Sequence, residues 1–570
     1  MTNETLYNGI TLPQTWPPRN VIEGSREPIP VPYLAHPPQV IPIDLGRQLF
    51  VDDFLIAETS LTRAYGKPEI HPQSPVLSPE TDEEMDSGFC PMAAPFNDGA
   101  WYDPHDNLFK LWYMPGWFHS TALATSTDGI HWQRPQLDVT PGTNLVWPNN
   151  DGSDRDGCLV WLDSDTPDPA QRYKMFQYYR HYKPRPGQPP IPPGSWPSQM
   201  ARGEMVSEGW AQVSPDGIHW SDPVITTQVG DNTTFFYNPF RRKWCMSIRR
   251  SGRIDETTRL RARFYRESDD FLQGAQWDVD SDEVFWQRID HFDLPDPARP
   301  NHRVALYDVN VTPYESLMLG LFAIFRGPEN DICAAEGVPK TMDLELTYSR
   351  DGFHFSRPDR TPFLASSRRI GDWNRAYLHA CGGLCLVVHD RIYFYFAGFS
   401  GLSPRLGSAG SGDTGVGDTG LSRRVMYAGA STGLATLRRD GFASMEAGAG
   451  GGTLTTRPVT FSGDRLFVNV NAPQGELRVS VLDGNGETME GLGADACAAL
   501  SADSTCAEVK WSSGADLSAL AGQPCRLRFH LQSGQLFSFW VTDDPNGASY
   551  GHMAAGGPGF TNGRDLPQSQ

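Results

Sequence analysis

Residues 126–135 read Ser-Thr-Asp-Gly-Ile-His-Trp-Gln-Arg-Pro (STDGIHWQRP), residues 214–223 read SPDGIHWSDP, and residues 349–358 read SRDGFHFSRP. A chain that repeats a ten-residue phrase repeats the structure that the phrase encodes. Asp ahead of Gly can bond its own backbone two residues on, and Gly accepts a positive φ, so the pair makes a tight turn between two strands. The Trp or Phe that follows is a large apolar plug, suited to a gap between neighbouring sheets. Two weaker copies fit the same template. SDDFLQGAQW at 268–277 keeps Asp270 and Trp277, and LATLRRDGFAS at 434–444 keeps Asp440-Gly441-Phe442.

A second repeat lies upstream of most copies. WYDPHDNLFKLWYM (101–114), WLDSDTPDPAQRYKMFQYY (161–179), FYNPFRRKWCMSIR (236–249) and VVHDRIYFYFAG (387–398) each read as strand, polar turn, strand, and YDVNVTPYESLMLGLFAIF fills that slot in the unit at 304–358. Each unit therefore offers about four strands, and four-stranded units repeated around an axis describe a β-propeller. Five units predict five blades, near 87–135, 153–223, 229–285, 303–360 and 376–445. The segment IPIDLGRQLFVDDFLIAE (41–58) has strand character and is expected to close the ring or lie along its side.

From about 452 the texture changes. RPVTFSGDRLFVNV, GELRVSVLDGNGE and CRLRFHLQSGQLFSFWVTD alternate apolar and polar residues with period two, and DGNG marks a hairpin turn. The expected fold is all-β: an N-terminal extension (1–40), a five-bladed propeller (41–448), a C-terminal β-sandwich (449–545) and a loose Gly-rich tail (546–570). Two inserts stand out, a Pro-rich one at 183–204 and a Gly/Ser-rich one at 401–424. The sandwich is expected to support the propeller or to pack on another subunit.

Composition narrows the partners. The 570 residues carry 48 Lys and Arg against 68 Asp and Glu, a net charge of −20. That balance opposes nucleic acid and anionic membranes, whose phosphates need a basic surface. No run of about 18 apolar residues is present, and the first residues show neither a basic start nor an apolar stretch of signal-peptide length. Nine cysteines with scattered spacing fit reduced, mostly buried thiols, so a cytoplasmic location is expected. No phosphate-cradling Gly-Lys-Ser/Thr or His-Glu-x-x-His motif occurs.

In a propeller the innermost strand of each blade lines a central channel, so acids there converge at one mouth. Blade one offers Asp86 and Asp98, blade two Asp154 and Asp156, blade three Asp231, blade four Asp308 and Glu315, and blade five Asn374 and His379. Asp is also common in tight turns, whereas Glu315 follows a Pro-Tyr pair, precedes the apolar run SLMLGLFAIF and has no evident capping task. Several carboxylates in one mouth is the pattern that glycoside hydrolysis needs: one acid protonates the leaving oxygen and a second carboxylate attacks the sugar or activates water. Asp156 is assigned as nucleophile or transition-state stabiliser, Asp231 as second carboxylate and Glu315 as general acid. Asp98, Trp112, Arg155, Asp308, Glu345, Trp373 and His379 are the substrate-binding candidates, with Trp117 a further aromatic. A ring of Asp has the oxygen ligands for a structural Ca²⁺, but no calcium loop is visible, and neither a catalytic metal nor a cofactor is expected.

Five blades followed by a sandwich resemble the clan of glycoside hydrolase families 32, 43 and 68, family 32 most in domain order. The resemblance covers roughly 40–545 and rests more on architecture than on motifs. The nearest match to the family's Asn-Asp-Pro-Asn-Gly stretch is NDGAWYD with Asp98, which lacks the Pro and Asn. Arg155-Asp156-Gly157 resembles its Arg-Asp-Pro motif without the Pro, and the Glu-Cys motif of its third blade has no counterpart here. The resemblance implies cleavage of a furanoside of the fructo- or arabinofuranoside type. A carbohydrate-binding propeller without catalysis and a scaffold for protein partners are the alternatives. An acid pair about 5–10 Å apart at one mouth separates hydrolysis from binding, and acids paired with Arg favour binding.

Overall fold

The computed structural model describes residues 3–149, 153–184, 186, 187, 203–253, 255, 257–336, 338–404, 407, 408, 427–512 and 514–568. Most of both expected inserts, 183–204 and 401–424, lies outside the described residues.

Five antiparallel blades follow one another along the chain. Blade one consists of Met92–Asp103, Leu108–Pro115, Thr121–Ser126 and Leu145–Trp147. Blade two consists of Asp154–Leu162, Tyr173–Pro184, Gly203–Ser214 and Val224–Ile225. Thr234–Asn238, Lys243–Arg253, Arg259–Ser268 and Val284–Gln287 form blade three. Blade four has Ala305–Glu315, Leu317–Gly327 and Thr341–Ser349, with Ser356 and Leu364 bridged to its outer edge. Blade five has an interrupted inner strand (Leu378–Ala380 and Leu386–Val388), then Arg391–Phe399 and Ala430–Arg438.

The outermost strand of blade five is Glu69–Ile70, which pairs with Thr436 and Ala435. The hydrogen bonds from His71 N to Leu434 O and from Val76 N to Thr432 O, both 2.8 Å, continue this pairing. Chain from ahead of blade one thus closes the ring and covers the last open edge. The expected closing segment, 41–58, does something else. Gln48–Leu49 pairs with Gly534–Thr542 and Ile56–Thr59 with Gly452–Thr456, so this stretch belongs to the sandwich.

The repeated phrase builds the same turn three times. Asp128 Oδ1 accepts from the amides of Ile130 and His131, and Oδ2 lies 2.7 Å from His131 Nδ1. Asp216 treats Ile218 and His219 identically, and Asp351 does so with Phe353 and His354. The glycines have φ of +75° (Gly129), +78° (Gly217) and +79° (Gly352). The blade gap is spanned from the other side: Trp112 Nε1 donates to Gly217 O (2.8 Å), Trp286 Nε1 to Phe353 O (2.7 Å) and Tyr395 Oη to Gly129 O (2.5 Å). Each of these turns is thereby stapled to an aromatic residue of the preceding blade. The copy in blade five departs from the pattern. Asp440 is buried and accepts from Arg47, Tyr314, Asn469 and Ser538 at the junction with the sandwich.

The sandwich packs Asp503–Val509, Arg465–Asn471, Gly534–Thr542, Ala443–Ala447 and Thr62–Tyr65 against Ile56–Thr59, Gly452–Thr456, Arg526–Gln532 and Glu476–Leu482. It starts at Ala443 and borrows 41–65. The tail, expected to be loose, is docked: His552–Met553 pairs with Tyr314 and Glu315 of blade four, and Ala555 N donates to Cys385 O (3.0 Å). Its glycines serve close approach. A Cβ on Gly557 would sit 1.8 Å from Val387 O. Among the described residues no helix is long and apolar enough to cross a membrane.

Candidate functional site

The inner strands of the five blades bring six of the ten sequence-derived candidates to the axis. Asn97 of blade one is the parallel neighbour of Cys158 in blade two and of Cys381 beside blade five. Asn310 Nδ2 of blade four donates to Asn97 Oδ1 (2.8 Å), and His379 Nε2 of blade five lies 3.1 Å from Asn232 Oδ1 of blade three. Asn97, Asp98 and Asn232 hold φ of +68°, +29° and +55°. Left-handed backbone is strained for residues other than glycine, least so for Asn, and such strain clusters at functional sites.

The lower layer of the axis is sealed. Asp98 is fully buried, accepts from Phe96 N (2.6 Å) and is ion-paired with Arg155, itself fully buried. Burial pushes the Asp98 carboxyl up despite that arginine. Asp308 and His379, also fully buried, lie 3.2 Å apart. Burial raises Asp308 to about 7 against the pull of Arg263, and burial lowers His379 to about 3. Both directions favour a neutral carboxyl beside a neutral imidazole. Arg263 completes the layer by donating from Nη1 to Asn232 O (2.6 Å).

Asp156 and Asp231 occupy the mouth above it. Asp156 is bonded by Arg180 Nη2 (2.6 Å), whose guanidinium lies over the Phe118 ring at 4.4 Å. Asp231 is ion-paired with Arg249 Nε (3.0 Å). The Asp231 side chain is 23 % exposed, against 5 % for Asp156, so solvent and solutes reach Asp231 more freely. Burial pushes the Asp156 carboxyl up, Arg180 opposes it, and the Asp231 charge adds to the rise. Burial also acts upward on Asp231, but Arg249, Arg261, Arg180 and Arg263 together hold it below the usual carboxylate range. Among the described residues no three His, Cys, Asp or Glu side chains gather as a metal site.

Four candidates lie elsewhere. Glu315 ends the inner strand of blade four, seven residues beyond Asp308, about 23 Å along extended chain. It is fully buried among the propeller, the sandwich and the tail, where it accepts from Arg47 N (3.1 Å), Arg439 Nη2 (3.0 Å) and Ser549 Oγ (2.6 Å). Expected as the general acid, Glu315 instead spends its carboxyl on the domain junction, away from the axis. Trp112 is a staple to the Gly217 turn, fully buried in the blade gap and closed to solvent. Glu345 is 1 % exposed and tied to Arg326 and Arg357 in an ion network with Asp293 and Asp343, so it neither lines the channel nor faces solvent. Trp373 packs on Phe396 (5.6 Å between centroids) and over Gly398 and Gly433, on a face of blade five.

The cations and phenols around the mouth, Arg180, Arg249, Arg261, Lys340, Tyr307, Tyr377 and Tyr427, and Arg263 below it, were not among the sequence-derived candidates. One signal for them was available. In RLRARF (259–264) arginines alternate, and on a strand residues i and i+2 share a face.

No family model matches the chain, and no curated protein matches it. Solved structures do. An N-acetylgalactosamine deacetylase from F. plautii in complex with blood group B trisaccharide is 14 % identical over 67 % of this chain and 96 % of its own, with a TM-score of 0.39. A glycosyl hydrolase from Bacteroides ovatus is 14 % identical over 69 % of this chain and 97 % of its own, with a TM-score of 0.37. A fructofuranosidase from Schwanniomyces occidentalis complexed with fructosylnystose is 10 % identical over 81 % of this chain and 98 % of its own, with a TM-score of 0.31.

Proposed function

We propose that the chain cleaves a glycosidic bond, with Asp156 protonating the leaving oxygen and Asp231 attacking the sugar or activating water. One observation carries this reading: two carboxyls in one mouth whose surroundings push their proton affinities apart, Asp156 up and Asp231 down. That division supplies an acid and a base at one pH, as glycoside hydrolysis requires. The roles differ from the sequence-derived ones, because Glu315 is far from the mouth and Asp156 is the better-buried acid. A furanoside, the class implied by the family resemblance, is the first substrate to test. A cytoplasmic location agrees with nine cysteines of which none forms a disulfide.

A second reading, a propeller that binds carbohydrate without cleaving it, is favoured by the arginine held on each carboxylate. One experiment separates the two. Nitrophenyl furanosides and pyranosides, fructans and arabinans are screened for turnover and for binding by calorimetry. Hydrolysis predicts that Asp156→Asn and Asp231→Asn each lower turnover roughly 10²–10⁴-fold while binding persists. Binding by the wild type with no turnover gives the second reading, and full activity in both variants ends the first.

A further inference from the structure

The mouth carries more positive charge than its carboxylates use. Four cations gather there with Arg263 below them, and ion pairs account for two of the five: Arg180 with Asp156 and Arg249 with Asp231. Arg261, Arg263 and Lys340 have no carboxylate within ion-pair distance among the described residues. Arg261 is half-buried, its Nε makes no hydrogen bond there, and its guanidinium lies 4.8 Å from the centre of the Tyr307 ring. Fully buried Arg263 uses Nη1 on Asn232 O and leaves Nε and Nη2 without hydrogen bonds. Lys340, 3 % exposed, donates from Nζ to the Tyr427 hydroxyl, with its Nζ 4.5 Å from that ring's centre and 6.0 Å from the centres of Tyr307 and Tyr377.

Asp231 is the carboxylate these cations share at longer range, and buried cations so incompletely compensated are costly, with aromatic faces offsetting only part of that cost. The surplus is local, since the chain as a whole carries −20. Two features fit this surplus to a compact oxyanion. Arg261, half-buried, can present its terminal N–H groups as a planar fork. The Tyr427 hydroxyl accepts from Lys340, which leaves its own proton available to donate outward.

We infer that the site takes a carbohydrate bearing an anionic substituent — a carboxylate or sulfate — which Arg261 and the Lys340–Tyr427 pair hold over the tyrosine rings. This rests on the mouth being a carbohydrate site. Arg263, deeper, adds charge from below. Burial and the neighbouring Arg261 lower Lys340 to about 8, and a bound anion restores its full charge.

The test is binding by titration calorimetry at low ionic strength, using matched pairs: D-glucuronate against D-glucose, D-galacturonate against D-galactose, D-glucose 6-sulfate against D-glucose, and inorganic sulfate alone. At least one acidic sugar is expected to bind tenfold or more tightly than its neutral partner, with the preference weakening in 0.5 M salt. Arg261→Gln, confirmed as folded by circular dichroism, is expected to erase most of that preference. The pair that responds, uronate or sulfate, identifies the substituent. Equal affinities within each pair overturn the inference while leaving hydrolysis of neutral sugars open to the Asp156 and Asp231 variants. Sulfate binding with no sugar bound, or no binding at all, overturns this inference, and the separate screen of furanosides, fructans and arabinans decides the carbohydrate reading beneath it. The wild-type comparison decides the matter even if Arg261→Gln does not fold.

Discussion

Replacing Glu315 by Gln should weaken the joint between propeller and sandwich and leave the mouth alone. Four donors converge on this carboxylate. Oε2 takes Arg47 N (3.1 Å) and Ser549 Oγ (2.6 Å), while Oε1 takes Arg439 Nη2 (3.0 Å) and faces Arg47 Nε at 3.3 Å. An amide has one acceptor oxygen, so its NH₂ must face donors on one side. With the NH₂ on the Oε1 side, the Arg439 hydrogen bond to a charged group is lost, at about 1.5–3 kcal/mol, together with the Arg47 Nε ion pair. Part of that is recovered, because Asp440 and Asp565 crowd negative charge onto the same two arginines and burial already pushes the Glu315 carboxyl up. The net expectation is a loss of about 3 kcal/mol. A two-domain chain need not unfold in one step, so the assay is urea unfolding followed by tryptophan fluorescence, with the first transition as the readout. Binding and turnover, measured where the variant is still folded, should stay within twofold of wild type. An unchanged first transition would refute the structural role, and a folded variant without turnover would return Glu315 to the chemistry.

Two further outcomes follow from single positions. A Cβ on Gly217 would sit 2.5 Å from Trp112 Cζ2 at φ +78°, whereas Gly142, at φ +85°, meets nothing nearer than Gln136 Oε1 at 4.0 Å. Gly142→Ala should cost about 1 kcal/mol of backbone strain, and Gly217→Ala about 2–4 kcal/mol once overpacking is added, as read by urea unfolding. Equal losses would argue against the aromatic staple. For Asp308 the sign follows from a folded value near 7 against an ordinary 3.8. Its neutral form is favoured in the fold, so its contribution is intact below about pH 4 and is lost as pH rises through 7. Asp308→Asn should therefore gain about 3 kcal/mol relative to wild type between pH 5 and pH 8, and a pH-independent difference would contradict the neutral carboxyl.

The blade repeat was legible because its cause is local. Asp128, Asp216 and Asp351 bond backbone two and three residues away, so ten residues carry the entire turn and its spacing counts the blades. Period-two alternation marked the sandwich strands for the same reason, and Asp156 and Asp231 were legible as candidates because the start of an inner strand is a position along the chain. The failures all concern partners distant in sequence. Pro313 and the apolar run after Glu315 identify a buried strand, but not which of its ends faces the mouth. That depends on Arg47 and Ser549, 268 and 234 residues away. Glycines after 546 look like slack until Val387 and Glu315 are seen pressed against them. Residues 41–58 read as strand, but the choice between propeller and sandwich lay with pairing partners roughly 400 to 490 residues on. By itself the sequence determined the repeating units and their number, because short-range hydrogen bonds and alternation write themselves into neighbouring residues. Only the tertiary structure decided which charges meet, because an ion pair or a shared mouth is a property of closure around the axis and leaves no periodic trace in the chain.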